Sequence, residues 1–199
     1  MIKLFALLSV ILTTTMLFSQ KMESEISQSR KEHKESLSNP DSEVLTQEEI
    51  NDFGGLDYFE FDTTFQIKAR FKRKRGPKFE MPTSTDRKPV YRRYGVVYFK
   101  INGKECELEV YQNIKLMEKE EYKNYLFIPF KDATSALSTY GAGRYIDLEK
   151  SKSKTIWIDF NTAYNPYCAY SYRYSCPIPP EVNSLNVEVN AGEKTPLGH

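Results

Sequence analysis

The side chains best suited to chemistry are concentrated between Thr155 and Glu193. This segment combines carboxylates, amides, aromatic rings, prolines and two cysteines, with little of the periodicity that marks a helix or a strand. Irregular backbone of this kind is held by specific side-chain contacts, so we expect the functional site here. The residues concerned are Asp159, Asn161, Tyr164, Asn165, Tyr167, Cys168, Tyr170 and Cys176.

Carboxylates beside an arginine form a second candidate group just upstream. Asp132 follows an apolar stretch, and Arg144, Tyr145 and Asp147 follow a glycine-containing turn. Acidic groups in a cleft can transfer protons, which makes Asp132, Asp147 and Asp159 the candidate catalytic residues. The alternative is that Arg144 pairs with one of these aspartates and pins loops over the sheet.

Tyrosine and amide side chains suit the recognition of a polar ligand that carries a ring. Tyrosine rings would stack on a planar ring or a sugar, and asparagine would orient it. The alternatives are core packing with satisfied tyrosine hydroxyls and turn capping by asparagine. The predicted ligand-binding residues are Arg144, Tyr145, Asn161, Tyr164, Asn165, Tyr167 and Tyr170.

The cysteines allow several interpretations. Cys168 and Cys176 would close a short disulfide loop in an exported protein, or remain as free thiols. No zinc-type spacing is present, and the two histidines, His33 and His199, lie far away in the sequence. We therefore predict no metal and no cofactor, and a nucleophilic Cys168 lacks a nearby histidine. Cys106 alternates with apolar residues and is expected to be buried on a strand face.

The N-terminus predicts export. Lys3 precedes an apolar run of about 15 residues, which is shorter than the roughly 20 that span a membrane. We predict a signal peptide over residues 1–19 and a periplasmic or extracellular protein with no stable membrane span after cleavage. The alternative is an uncleaved anchor. Residues 20–45 are polar and compatible with a helix, and are interpreted as a surface helix or a loosely attached arm.

The rest of the chain favours β structure. Thr46 and Glu49 have the spacing of a capping box at the start of a short helix. Alternating apolar residues predict strands from Phe65 onward, and Asn102-Gly103 predicts a tight hairpin. Leu185–Val189 is the predicted last strand. We expect one mainly β domain over residues 46–199, an antiparallel sandwich or a partly open barrel with helices at the N-terminus.

The charge balance argues against a nucleic-acid binder. The chain has 28 basic and 27 acidic residues. Lys3 is the one charged residue in positions 1–19, so the two numbers are equal without that segment. A dedicated nucleic-acid binder shows a basic excess. A dense basic run, Arg70–Lys78, is interpreted as a solvated hairpin tip, with contact to phosphate-rich polymers or lipid headgroups as the alternative.

Several motifs together resemble a known family of bacteria and archaea, domain-of-unknown-function family 1684. The resemblance covers roughly Phe53 to Glu193 and departs from the family at Ala136-Leu137, where a glycine-containing turn is more usual. It implies no reaction. The motifs are Tyr94-Gly95, Leu126 to Thr134, Tyr140 to Asp147, Asp159 to Pro180, Asn183, and Ala191-Gly192-Glu193.

Three functions remain open at this point. The first is binding of a small polar or ring-bearing molecule, such as a glycan fragment. The second is a hydrolase that uses Asp132, Asp147 or Asp159, and the third is a purely structural domain. A cleft lined by tyrosines without convergent carboxylates would favour binding. The sequence contains no signal for an oligomeric state.

Overall fold

A computed structural model describes the backbone of residues 2–197 and the side chains of residues 20–197. The side chains of the predicted signal peptide, residues 1–19, and all of His199 lie outside this range. The elements in chain order are helix α1 (Ile2–Ser38), helix α2 (Gln47–Asp52), and strands β1 (Gln66–Lys72), β2 (Lys78–Glu80), β3 (Val90–Ile101), β4 (Lys104–Asn113), β5 (Tyr125–Phe130), β6 (Arg144–Glu149) and β7 (Thr155–Asp159).

The seven strands form one antiparallel sheet that curls into a half-barrel. The order across the sheet is β6-β5-β4-β3-β1-β7, and β2 pairs with the first three residues of β3. This confirms the prediction of a mainly β protein with a helix at its N-terminus. Because the sheet does not close on itself, its curl must be filled by side chains and covered by non-strand segments.

The longest hairpin forms as the sequence predicts. β3 and β4 pair from Tyr91↔Asn113 to Ile101↔Lys104, and Asn102 and Gly103 both have positive φ at the turn. Positive φ at both positions matches the twist of the flanking strands. Cys106 is only partly buried at the margin of the core, so the prediction of a buried core cysteine was wrong.

Apolar side chains fill the curl of the sheet. The main cluster takes residues from most strands and from the segment after β7, and a smaller one, rich in tyrosine, lies around Met81 and Cys176. Asn183 is fully buried where β4 and β5 separate. Its amide exchanges hydrogen bonds with the backbone of Glu109 and donates to the Pro129 carbonyl, so it takes the place of a missing strand partner.

The predicted last strand does not join the sheet, which corrects that prediction. Residues 185–189 do alternate, with Leu185, Val187 and Val189 buried and the two residues between them exposed. Their backbone instead bonds to the loop after β5, where Leu185 N donates to Lys131 O and Ala133 N donates to Val187 O. The alternating pattern predicts correctly which side chains are buried, but it does not identify the hydrogen-bond partners of the backbone.

The N-terminal region is docked onto the domain. Ile26 and Leu37 of α1 are buried, and Arg30 donates to the carbonyl of Phe59 at 3.0 Å. These contacts favour the surface helix over the loosely attached arm. Among the described residues, none of the helices is both long and apolar enough to cross a membrane. The capping box predicted at Thr46 and Glu49 is confirmed at the start of α2.

A strained alanine gives a testable consequence for stability. Ala136 has φ 65°, a conformation in which a Cβ is disfavoured. We expect Ala136→Gly to raise the free energy of unfolding by up to about 1 kcal/mol, because glycine adopts this conformation without the Cβ clash. Urea unfolding measures the change. Ala142→Gly, in a neighbouring turn without positive φ, is the control and should not stabilise; a loss of stability in Ala136→Gly would contradict the expectation.

Candidate functional site

A cavity of about 310 Å³ lies between α1 and one end of the sheet. One wall comes from α1, another from the loop that contains Tyr58, and the floor comes from β6 and the turn after β7. The lining residues are Ile26, Ser29, Arg30, His33, Tyr58, Asp147, Asn161, Thr162, Ala163, Tyr164 and Tyr167. The helix therefore completes the site.

Arg30 and His33 hold α1 against the loop that contains Tyr58. The Arg30 guanidinium lies 4.5 Å from the centre of the Tyr58 ring and donates to the carbonyls of Phe59 and Asn161. His33 Nδ1 is 3.2 Å from the Tyr58 hydroxyl. Burial lowers the pKa of His33, because the charged imidazolium loses water. A neutral His33 can accept or donate one hydrogen bond at the cavity wall.

Asp147, one of the three acidic candidates from the sequence, lies on the cavity wall. It extends from β6, is accessible to solvent, and accepts hydrogen bonds from Tyr125 Oη at 2.7 Å and Tyr164 Oη at 3.0 Å. Loss of water around the carboxylate raises its pKa, and the two tyrosine hydroxyls oppose that rise. The tyrosines thus fix the orientation of the carboxylate and leave it able to accept further donors.

Glu193 is buried directly behind this wall, with 1% of its side chain exposed. Its Oε2 accepts from the backbone N–H of Asn165 at 2.9 Å and lies 4.0 Å from His33 Nδ1. Oε1 has no hydrogen-bond partner among the described residues. Burial raises the pKa of Glu193 to about 8, although Asn165, Arg144 and Arg30 act in the opposite direction. Glu193 is therefore mainly a neutral acid at pH 7.

Arg144 and Asp132 are outside the cavity and hold the C-terminal segment. Arg144 is 1% exposed, and its guanidinium donates to the carbonyls of Val189, Ala191 and Glu193 and pairs with Asp132 Oδ1 at 3.4 Å. Asp132 also accepts from the backbone N–H of Val189 at 2.7 Å. This is the loop-pinning alternative raised by the sequence, and the cavity lining includes neither residue.

Asp159 and Asn161 shape the turn after β7. Asp159 Oδ1 accepts from the backbone N–H and the amide of Asn161, and its Oδ2 accepts from Gln66. The Asn161 amide also bonds to both backbone groups of Asp62. Asn161 lines the cavity, but these four bonds use its polar atoms, and the Asp159 carboxylate points into the turn rather than the cavity.

The remaining predicted ligand-binding residues divide into two sets. Tyr164 and Tyr167 line the cavity. Tyr145 is buried against Phe127 and its hydroxyl donates to the Pro177 carbonyl. The Asn165 amide donates to the Lys194 carbonyl and to the Tyr170 hydroxyl, so these two side chains support the wall from behind.

Four ionisable residues at the site were not predicted from the sequence: Arg30, His33, Tyr58 and Glu193. Three of them lie before β1, in segments for which the sequence predicted no site residue. Glu193 had a signal, since it was part of the Ala-Gly-Glu motif. Gly192 in that motif has φ 77°, and a Cβ there would lie 2.6 Å from the Ala163 carbonyl, so glycine is required where the chain turns Glu193 inward.

The three cysteines are free thiols in the structure. Cys168 and Cys176 nevertheless lie together, with the Cys168 N–H donating to Cys176 Sγ at 3.2 Å. A hydrogen bond from the Cys176 thiol lowers the pKa of Cys168 to about 7, with Ser84 and Tyr140 adding to the effect and burial opposing it. The same contact with Cys168, together with burial, raises the pKa of Cys176. No cluster of three potential metal-binding side chains occurs within the described part of the chain.

Comparison with known proteins gives relatives but no activity. The model of the family described as "Protein of unknown function (DUF1684)" matches residues 51–194. The solution NMR structure of an uncharacterised protein from Haloarcula marismortui is 32% identical, with a TM-score of 0.67. The match covers 90% of this chain and 97% of that one. Among curated proteins, none matches.

The buried Glu193 predicts a dependence of stability on pH. Its pKa is raised from 4.5 to about 8 on folding, so its contribution is complete below pH 4.5 and is lost as the pH rises through 8. We expect the stability of the parent, relative to Glu193→Gln, to fall by roughly 3–5 kcal/mol between pH 5 and pH 9. Chemical unfolding at several pH values measures this.

The difference in stability between the parent and Glu193→Gln isolates the titration of Glu193. The groups that face it, Arg30, His33, Tyr58 and Arg144, are common to both. The lowered pKa of His33 acts in the other direction, with stability lost as the pH falls, and largely cancels in the difference. Parallel stability curves for parent and variant would show that Glu193 is ionised in the folded protein at neutral pH.

Proposed function

This chain belongs to the DUF1684 family of proteins of unknown function, and from the geometry of the cavity we propose that it binds a small polar molecule that carries a ring. The observation that carries the proposal is the convergence of three tyrosine rings, Tyr58, Tyr164 and Tyr167, with an oriented carboxylate in one cavity. Tyrosine supplies an apolar face and a polar edge, which is the combination that a sugar or a polar heterocycle requires.

The size and lining of the cavity limit the ligand. A volume of about 310 Å³ is near the lower end of the range of roughly 300–1,000 Å³ for small-molecule sites. One ring with polar substituents, such as a single residue of a glycan, suits this volume. Asp147 would accept from ligand hydroxyl or N–H groups, and the imidazole of His33 on α1 would offer a second polar contact.

Hydrolysis by the predicted aspartates is less well supported. A glycosidase needs two carboxyl groups on either side of the bond, about 5–10 Å apart. Asp147 alone among the three candidates lines the cavity; Asp132 pairs with Arg144, and Asp159 holds the turn after β7. The purely structural alternative describes those two residues well, but it leaves the exposed Asp147 and the tyrosine-lined cavity without a role.

We also propose that the protein acts after export. The basis is the sequence of residues 1–19, and cleavage after Ser19 would leave the cavity-lining part of α1, from Ile26 to His33, on the mature protein. In an oxidising compartment Cys168 and Cys176 would form a disulfide, the two thiols giving up two protons and two electrons to a disulfide donor. Their contact and the low pKa of Cys168 support this pairing.

Ligand binding can be tested on the protein from its exported fraction. Native mass spectrometry identifies retained molecules, and calorimetry with neutral, amino and acidic monosaccharides measures affinity. We expect Tyr167→Ala to weaken binding by about 2- to 10-fold, the value of one aromatic contact. Tyr172→Ala is the matched control, since Tyr172 is 95% exposed and outside the cavity. Equal loss in both variants, or no saturable binding and no retained molecule, would refute the proposal.

The disulfide has a separate test. Thiol counting on the denatured exported protein should give one free thiol, Cys106, and three after reduction. We expect the Cys168→Ser/Cys176→Ser variant to be less stable than the oxidised parent by about 2–3 kcal/mol, because the short loop is no longer closed in the unfolded state. Cys106→Ser serves as the control. Three free thiols without reduction would exclude the disulfide.

A further inference from the structure

A second concave surface, the basic groove, lies beside β1 and the loop between β6 and β7. Its volume is about 950 Å³. Six of its eleven described lining residues are cations and none is acidic; the lining is Arg70, Phe71, Lys72, Arg73, Tyr94, Asn124, Lys150, Ser151, Lys152, Ser153 and Lys154. The formal net charge of the whole chain is +1, so this concentration of positive charge is local.

The floor of the groove is built around a β-bulge. The register between β3 and β4 shifts between Arg93 and Gly95, which sets Tyr94 apart from the regular ladder. The Tyr94 ring stacks on Phe71 with centroids 5.9 Å apart. A Cβ on Gly95 would lie 2.5 Å from the Phe71 ring, so glycine is needed for this packing. The bulge and the glycine together fix an aromatic floor.

Two cations are held over that floor. The Arg73 guanidinium lies 4.3 Å from the centre of the Tyr94 ring and donates to the Tyr94 hydroxyl at 2.7 Å. Lys150 Nζ lies 5.9 Å from the same ring centre and donates to the carbonyl of Lys123. Their heads are therefore oriented before any ligand arrives, which reduces the entropy lost on binding.

The loop that closes the groove adds neutral donors. Ser151 and Ser153 accept from the backbone N–H groups of Ser153 and Thr155, which leaves each hydroxyl hydrogen available to a ligand. The backbone N–H of Phe71 donates to the Lys154 carbonyl at 2.8 Å, which ties this loop to β1. Hydroxyl donors among cations are the usual surroundings of a bound phosphate.

The like charges of the groove repel one another without an anion. Burial lowers the pKa of Lys150, and Arg73, Arg75 and Lys123 lower it further. A bound anion would remove this repulsion. The repulsion itself does not stabilise the folded domain. Uncompensated charge in a cleft attracts ligands of the opposite sign and marks a functional surface.

We propose that the basic groove binds the phosphate groups of a multiply charged anionic ligand. Arginine offers paired donors to phosphate oxygens and lysine offers a point charge, and the groove supplies both. Nucleic acid fits less well, because bases stack on exposed aromatic rings. Among the described lining residues the aromatic ones are Tyr94, which is buried, and Phe71, which is partly buried. The phosphates can belong to a soluble anion or to lipid headgroups.

The test uses two phosphate sources with the full-length or mature protein. Sodium tripolyphosphate is titrated by calorimetry, and vesicles of phosphatidylcholine with and without about 30% phosphatidylglycerol are used for co-sedimentation. Binding to tripolyphosphate points to a soluble anion, and binding to the anionic vesicles alone points to headgroups. Either result supports the proposal if it weakens with salt and depends on the groove.

Dependence on the groove is measured with matched variants. Lys72→Gln/Lys152→Gln removes two exposed groove cations, and Lys34→Gln/Lys104→Gln removes two exposed cations elsewhere. We expect the first variant to bind roughly tenfold or more weakly than the parent, and the second to bind like the parent. Arg73→Gln should also weaken binding, with its fold checked by circular dichroism.

Three results would overturn the proposal: no binding to either phosphate source, equal binding by the two double variants, or tighter binding to single-stranded DNA than to both sources. Tyr167→Ala should leave phosphate binding unchanged, because Tyr167 lies in the other cavity. Failure of the ring-binding proposal and failure of this one are therefore distinguishable.

Discussion

The buried guanidinium of Arg144 makes the contacts on which the C-terminal segment, residues 183–193, depends. Residues 183–193 follow a half-closed sheet, and their backbone bonds to loops rather than to the strands of that sheet. Arg144 satisfies three of their carbonyls, and Asp132 neutralises it while accepting an N–H from Val189. A buried cation without these partners would cost several kcal/mol, so the contacts operate as one unit.

The site follows from this arrangement. Arg144 holds the carbonyl of Glu193, and Glu193 in turn accepts from the backbone of Asn165, so one polar network positions both the C-terminal segment and the turn that carries Tyr164 and Tyr167. A neutral Glu193 is consistent with this setting, because the Arg144–Asp132 pair is already balanced. The cavity then exists only because α1 lies across this surface and supplies Arg30 and His33.

The two candidate binding surfaces differ in chemistry and are built by different structural features. The tyrosine-lined cavity depends on tyrosines fixed by hydrogen bonds and on a docked helix. The basic groove depends on a β-bulge, a glycine and an aromatic floor that orients two cations. Asn161 lines the cavity, but its side-chain amide, like that of Asn183, is bonded within the protein. Asn161 and Asn183 replace missing backbone partners, which is why amides are abundant where the chain is irregular.

Local patterns in the sequence determined the elements that depend on interactions between neighbouring residues. Asn102-Gly103 specified a hairpin and Thr46 with Glu49 specified a helix start, because backbone conformation and neighbouring hydrogen bonds decide both. The alternation at residues 185–189 reported a buried face but not its partner. The tertiary structure alone decided that Arg144 faces Asp132 and that Glu193 lies behind His33, 160 positions apart in the numbering. Such contacts depend on how the whole chain packs, and no short-range pattern encodes them.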